Sequence, residues 1–453
     1  MILHDVEVEG RPGLDVAIEA DRIVAVGPDL ATSHPGSDVV EGHGGALLPG
    51  LHDHHLHLRS MAARSRSVIC APPEVDGPDA FAAALAAAAS TTPPHRWIRA
   101  VGYEERVLGP VDRSRLDAIV PHHPVRLQHR SGHLWVVNTP GLRLLEPVCG
   151  ATSADGHLYD HDEAFRGLDE HDPGADLAAL ASVGERLNAL GITEVTDATA
   201  DNGADDASWF AARQADASLT LRVHLLGGDT LSAGPRKVIL AEHDLPSLDD
   251  LTTTISAVHA ADRPVAVHAA SRATLVLALA ALDAAGAHPG DRLEHASVAP
   301  PELLAWAARL GATVVTQPGF VVAHGDRYLD EVDGDDQPWL YRGRGFLDAR
   351  VRLAAGSDAP FGPEDPWVAM QAAVDRRTGG GAVLGPDEGL TPEEALALFT
   401  GPAAAPGGPA RRVAVGERAD LCLLEVPWVE ARRRLTADYV AATVVAGALV
   451  AGG

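Results

Sequence analysis

Short apolar runs recur along the middle of this chain, separated by stretches of helical patterning. That rhythm narrows the possible folds more than any other feature. The runs are Ala46 to Leu48, Ile192 to Thr196, Leu221 to Leu226, Lys237 to Leu240, Val265 to His268, Arg292 to His295, Thr313 to Gln317 and Val351 to Gly356. Helical patterns such as Ala270 to Gly286 and Ala299 to Leu310 lie between them. Lys237 and His268 are 31 positions apart, and His268 and His295 are 27 apart. One strand-plus-helix unit needs about that length. Eight such units predict an α/β fold, a distorted (β/α)8 TIM barrel, in which each helix supplies the crossover that parallel neighbours require. The stretch from about 60 to 185 is too long for a bare connection. It is expected to carry its own structure, as a cap inserted over the barrel mouth.

The two chain ends read differently. Val6, Val8, Val16 and Ile18 alternate with charged residues, and Ala419 to Leu424 and Ala442 to Gly447 are short strand-like runs near the other end. Residues 1–48 and 408–453 are expected to be the halves of one small β-sandwich domain, with 49–400 as the barrel. A Pro/Ala/Gly stretch, Gly401 to Pro409, marks the boundary. At 453 residues and net charge −27 the chain can bury a large core, and it lacks the clustered positive charge that nucleic acid and anionic membranes attract. Cys70, Cys149 and Cys422 are far apart and form no C-x-x-C pair. The first residues show no secretory signal, and the Ala-rich stretch Ala80 to Ala89 is too short to span a bilayer. These features predict a cytoplasmic protein acting on a small molecule, with reduced cysteines and without nucleic-acid or membrane partners.

Polar residues fall where a barrel enzyme keeps its chemistry. His55, His57, His268, His295 and Asp358 each sit at or just past the end of an apolar run, the face on which barrel active sites are built. In His55-Leu56-His57 the two imidazoles are two apart, so on a strand both point the same way and can hold one metal. The basic residues number 36, and all but Lys237 are arginine. An amine can lose its proton when buried and react with CO2, giving a carboxylate on a long arm; a guanidinium cannot. A lone lysine by drift, a satisfied core histidine, and an Asp358 that merely caps a turn in Gly-Ser-Asp-Ala-Pro are the bland alternatives. Imidazole and carboxylate donors suit zinc, manganese, iron or nickel.

Pro49-Gly50-Leu51-His52-Asp53-His54-His55-Leu56-His57 resembles the PG[FL]xDxHxH segment of the amidohydrolase superfamily. Ser131 to Asn138, Gly191 to Asp197, Val265 to Ala269, Arg292 to Ala296, Thr316 to Pro318, Gly356 to Pro360, Asp365 to Trp367 and Gly416 to Leu421 extend the likeness. The chain looks like the amidohydrolase-3 family, which includes YtcJ-like and N-substituted formamide deformylase-like enzymes. The resemblance covers nearly all of it, and is weakest over about 60–95 and 140–185. It implies a hydrolase with one or two divalent metal ions, zinc foremost. His55, His57 and Asp358 would hold one ion and His268 and His295 the second, with a carboxylated Lys237 bridging. A metal lowers the pKa of bound water to about 7, so hydroxide is available at neutral pH. Asp358 would shuttle its proton to the leaving amine. Two departures stand out. Val238 to Glu242 follows Lys237 where relatives tend to carry Asp-Gly, and Ala269-Ala270-Ser271 follows His268 where relatives often have Gly-Asp.

Hydrolysis of an amide or related non-peptide C–N bond is the expected activity. A mononuclear deaminase and a lactone or ester hydrolase are the enzymatic alternatives, and a non-catalytic scaffold is a third. Superfamily deaminases typically carry a Glu shortly after the strand-five His, and Ala269 to Ala281 contains none. His133, Tyr341 and Arg342 are candidate substrate contacts, and Arg344 and His324 could line the mouth. His52 and His54 should point away from the His55/His57 face. A homodimer is a family-level expectation.

Overall fold

The computed structural model describes residues 1–33, 36–93, 95–132, 134–149, 154–159, 162–165 and 173–452. The chain divides into two compact units, one made of Met1–Leu58 with Val183–Gly453 and the other of Arg59–Ser182.

In the first unit both chain ends share one eight-stranded sheet. Its path runs Ala448–Gly452, Val440–Val445, Leu421–Leu424, Ala46–Pro49, Ile2–Val8, Arg11–Glu19, Arg22–Gly27, with Val39–Glu41 paired beside Ile2–Val8. The ends are joined where Leu421–Leu424 lies antiparallel to Ala46–Pro49. The alternation in the sequence is explained by its core, in which Leu3, Val6, Val8, Val16, Ile18, Leu421, Leu423 and Val444 are buried together.

Ala46–Pro49 therefore belongs to this sheet and is not the first parallel strand, which is Leu51–Leu56. The apolar-run criterion fails there for a physical reason. Leu51–Leu56 is buried along its whole length, yet four of its six residues are His or Asp.

The parallel strands are β1 (Leu51–Leu56), β2 (Ile192–Asp197), β3 (Arg222–Leu225), β4 (Arg236–Ile239), β5 (Val265–Ala269), β6 (Arg292–His295), β7 (Thr313–Thr316) and β8 (Arg352–Ala355). They are paired as two parallel sheets, β3-β2-β1 and β4-β5-β6-β7-β8, with no continuous ladder joining the two among the described residues. Single links connect them. Gly227, just past β3, bridges Arg236 of β4 in the parallel sense. The Asp358 amide donates to the His55 carbonyl at 2.7 Å, and the His57 amide to the Ala359 carbonyl at 2.8 Å. Helices return the chain between strands. Arg272–Ala285 starts where the Ser271 hydroxyl accepts from the Thr274 amide, and it buries Leu275, Ala278, Leu279 and Leu282 at three- and four-residue spacing. Pro301–Leu310 has proline in its first turn and stops at Gly311, whose φ of 68° suits glycine.

The second unit has its own five-stranded sheet, in the order His157–Tyr159, Leu134–Val137, Val125–His129, Ile98–Tyr103, Val68–Ile69. The Ala-rich stretch forms the helix Pro78–Thr91, whose Phe81 and Leu85 join Leu116, Val125, Leu127 and Val136 in a separate core. Among the described residues no helix is long and apolar enough to cross a membrane.

Candidate metal centre

The site begins where β1 meets the turn after β8. The buried Asp53 carboxylate accepts from the His55 amide at 3.0 Å and the Ser357 amide at 3.1 Å, tying the two segments together. Burial pushes this carboxyl up to about 7. Gly356 allows the approach. A Cβ there would lie 2.5 Å from the His55 nitrogen and 2.6 Å from its Cβ. Gly356→Ala is therefore expected to push the His55 backbone away, at about 1–3 kcal/mol, the usual cost of overpacking. A lowered melting temperature together with weaker metal retention would check this; an unchanged pair of values would show that the contact yields freely.

Asp358 and His295 both adopt left-handed backbone, at φ 53° and 73°. Such conformations are uncommon for residues other than glycine and here turn both side chains toward β1. Asp358 Oδ1 lies 3.2 Å from His57 Nε2 and 3.6 Å from His55 Nε2. Candidate ligand atoms of His55, His295 and Asp358 all fall within 4.8 Å of one another. The His268 ring sits 4.4 Å from that of His295, centroid to centroid. Burial would raise the Asp358 pKa, but the hydrogen bond from His57 and the neighbouring His55, His57 and Lys237 outweigh it and hold the carboxyl below its ordinary value. Burial, then the Lys237 charge, keeps His55 well below the usual imidazole range and brings His295 down to about 3. Both rings are thus neutral, the form that binds a metal.

Three imidazoles are oriented from behind through Nδ1. His55 Nδ1 meets Glu294 Oε2 at 2.5 Å, His57 Nδ1 meets Thr199 Oγ1 at 3.3 Å, and His295 Nδ1 meets Gln317 Oε1 at 2.8 Å. A carboxylate and an amide oxygen can only accept, so the proton of His55 and of His295 sits on Nδ1. Their Nε2 lone pairs are left free, as in most histidine ligand sets.

Glu294 went unnoticed in the sequence. It is fully buried, and it also accepts from Arg292 Nε at 2.7 Å and Nη2 at 3.2 Å, while Arg292 Nη2 donates to the His54 carbonyl at 2.8 Å. The available signal was an Arg-x-Glu pair inside an otherwise apolar strand, two residues apart and so on one face. Glu294→Gln is expected to weaken metal affinity about 10- to 100-fold, the range for losing such an orienting partner. Competition with a metal-sensitive dye would measure it, and wild-type affinity would refute the role.

Lys237 lies on β4 and is only 5% exposed. Among the described residues its amine has no carboxylate at ion-pair distance. Burial lowers its pKa, while Glu294, Asp358 and Asp197 pull the other way from farther off.

The remaining candidates are placed as follows. His133 lies outside the described residues. Arg342 is buried, donating to Glu388 Oε1 at 2.7 Å and the Ala299 carbonyl at 3.1 Å, so its guanidinium is committed within the protein. Arg344 pairs with Glu394. His324 Nε2 lies 3.1 Å from the Phe361 carbonyl, and Tyr341 is buried with its hydroxyl 3.1 Å from that of Tyr328. His52 and His54 stack on each other at 4.0 Å, and His52 Nε2 meets Thr196 Oγ1 at 2.9 Å.

Three known proteins are similar to this chain. The chain is 27% identical over 489 residues to an N-substituted formamide deformylase of Arthrobacter pascens, covering 90% of this chain and 89% of that protein. It is 24% identical over 430 residues to the amidohydrolase YtcJ of Bacillus subtilis (strain 168), covering 81% and 80%. The structure of an uncharacterized metal-dependent hydrolase from Pyrococcus horikoshii OT3 superposes with a TM-score of 0.72 at 21% identity, covering 94% of this chain and 97% of that one. The sequence model of the Amidohydrolase family matches residues 38–451, and the chain belongs to that family.

Proposed function

We propose that this chain is a metal-dependent hydrolase that cleaves an amide or related non-peptide C–N bond of a small organic molecule. The observation that carries the reading is the convergence of His55, His295 and Asp358, with orienting partners behind the imidazoles and a buried amine nearby that has no carboxylate at ion-pair distance among the described residues. We read the two parallel sheets as the two arcs of one distorted barrel, and the shared sheet of the chain ends as its appended β domain.

The donor set fits divalent transition metal. The Nε2 atoms of His55 and His57 face a carboxylate, and the His268 ring lies beside that of His295. His55, His57, His268, His295 and Asp358 would hold the metal, with Lys237 between. Metal bound there, zinc foremost, supplies Lewis acidity toward the scissile carbonyl and lowers the pKa of water.

This chain's own residues do the rest. Burial favours the neutral Lys237 amine, whose lone pair can add to CO2 with loss of a proton, leaving a carbamate that supplies the missing negative charge. Glu294, Thr199 and Gln317 fix the imidazole orientations. Asp358, kept ionised, accepts a proton from the attacking water and passes it to the leaving nitrogen, which must be protonated to depart as an amine.

N-substituted formamides are the first substrates to test, because the Arthrobacter pascens relative acts on that class. Amine release that stops on chelation and returns with zinc is the expected outcome. Release that is indifferent to chelation would refute the metal-dependent reading, and release of alcohol from lactones or esters alone would redirect it to C–O bonds.

A further inference from the structure

The hydroxyls of Ser297, Tyr328 and Tyr341 come together just beyond β6. Ser297 follows His295 by two residues and is 4% exposed. Among the described residues its Oγ has no hydrogen-bond partner of normal geometry, although it faces the Tyr341 phenol. A buried hydroxyl without a partner costs free energy, and few are tolerated without purpose.

Tyr341 is held there forcibly. Its φ is 43°, a genuine outlier for so bulky a residue. Leu340 forms an antiparallel bridge with Val298, and the Tyr341 amide donates to the Ser297 carbonyl at 2.8 Å. The fully buried Arg376 donates to the Tyr341 carbonyl at 2.6 Å and the Leu340 carbonyl at 2.8 Å. Strain that is fixed from two sides in this way tends to mark a working residue.

Tyr341 stacks on Tyr328 at 5.5 Å with the two hydroxyls 3.1 Å apart. His324 and Phe361 connect the group to the metal ligands. The His324 ring lies 6.2 Å from Tyr328, and its Nε2 is 3.1 Å from the Phe361 carbonyl. The Phe361 ring packs at 5.9 Å on His57, and its amide donates to the Asp358 carbonyl at 2.8 Å. Both phenols lie close enough to Asp358 to feel its charge, which together with burial keeps them protonated.

We propose that Ser297, Tyr328 and Tyr341 form a hydroxyl anchor that grips a neutral carbonyl-type oxygen of the substrate, with Tyr341 as the positioning residue. The term substrate rests on the hydrolase reading above. The class of ligand follows from counting donors. One phenolic proton is spent in the hydrogen bond between the two phenols, so one phenolic O–H is uncommitted, and the Ser297 O–H is a second. Two free donors match one acceptor oxygen. The nearby guanidiniums each have a partner, Arg342 on Glu388, Arg376 on backbone carbonyls and Arg327, beside the Tyr328 ring, on Glu331 at 3.4 Å, so a carboxylate would have to compete for its counter-charge.

Acetophenone offers a carbonyl that cannot be hydrolysed, and calorimetric titration of the purified protein measures its binding without turnover. Tyr341→Phe is expected to weaken binding at least about tenfold, the effect of losing one well-placed hydrogen bond, with metal content and melting temperature unchanged. Tyr328→Phe should give a smaller loss. On N-phenylformamide, Tyr341→Phe should raise KM by a similar factor and change kcat little. If Tyr341→Phe does not fold, Ser297→Ala takes its place in the same titration. Wild type and variant binding within twofold, no binding by wild type, or tighter binding of benzoate than of acetophenone would each overturn the anchor. Tyr341-dependent binding without amine release from N-phenylformamide would refute amide hydrolysis and leave the anchor standing.

Discussion

Lys237→Ala is expected to leave a folded protein that has lost its metal and its turnover. The reasoning starts from burial. An ammonium at 5% exposure with no carboxylate at ion-pair distance among the described residues is a poor structural element. A lysine kept for stability would have its counter-ion beside it, as Arg292 has Glu294 at 2.7 Å. As the carbamate, the same side chain would be an anion beside neutral imidazoles, which is what a pair of divalent ions needs. Losing a direct ligand should cost more than the about 10- to 100-fold typical of an orienting partner, so kcat should fall by roughly two orders of magnitude or more. A short-chain carboxylic acid, filling the space with an exogenous carboxylate, should restore part of both metal content and rate. Full activity in the unsupplemented variant would exclude a bridging role. Stability gives an independent check. The pKa of Lys237 is lowered on folding, so below its unfolded value of about 10.4 the buried charge works against the folded state. The volume-conserving Lys237→Met should accordingly be no less stable than wild type when both are metal-free. A marked loss would point to a structural ion pair instead.

Asp358→Asn is the second large effect. Asparagine nearly preserves shape and tolerates left-handed backbone, so the turn at φ 53° should survive. What is lost is the negative charge facing His55 and His57 and the capacity to accept a proton. General acid–base groups contribute about 10²- to 10⁴-fold, and kcat should drop on that scale while KM moves little. A steady-state comparison at matched metal occupancy separates the proton-transfer role from simple loss of a ligand. A variant that holds its metal and keeps wild-type kcat would show that the proton passes through another group.

Much of this site could be read from the sequence because two strong regularities coincide there. Strand rhythm gave seven of the eight parallel segments to within about a residue, since β-branched and aliphatic runs bounded by helical patterns leave few alternatives. Spacing at the end of one strand pointed to His55 and His57, whose Nε2 atoms both face Asp358. β1 itself was hidden because its buried positions carry His and Asp, so burial there is polar and hydrophobicity does not report it. The arrangement of parallel strands as three plus five was equally hidden, because hydrogen-bond pairing between distant segments leaves no local pattern. Glu294 and Gln317 were missed for a related reason. Each acts by touching a histidine 239 or 22 residues away, and a contact of that kind exists only once the strands are side by side. Arg342 shows the converse. A charged residue past a strand end suggests a substrate contact, but Glu388, far along the chain, claims it.

Elemental analysis of the purified protein, run alongside its amine-releasing activity, tests the central claim most directly. The account predicts about two transition-metal ions per chain, with activity that falls as they are removed. A chain that releases amine at full rate with no transition metal bound would contradict it.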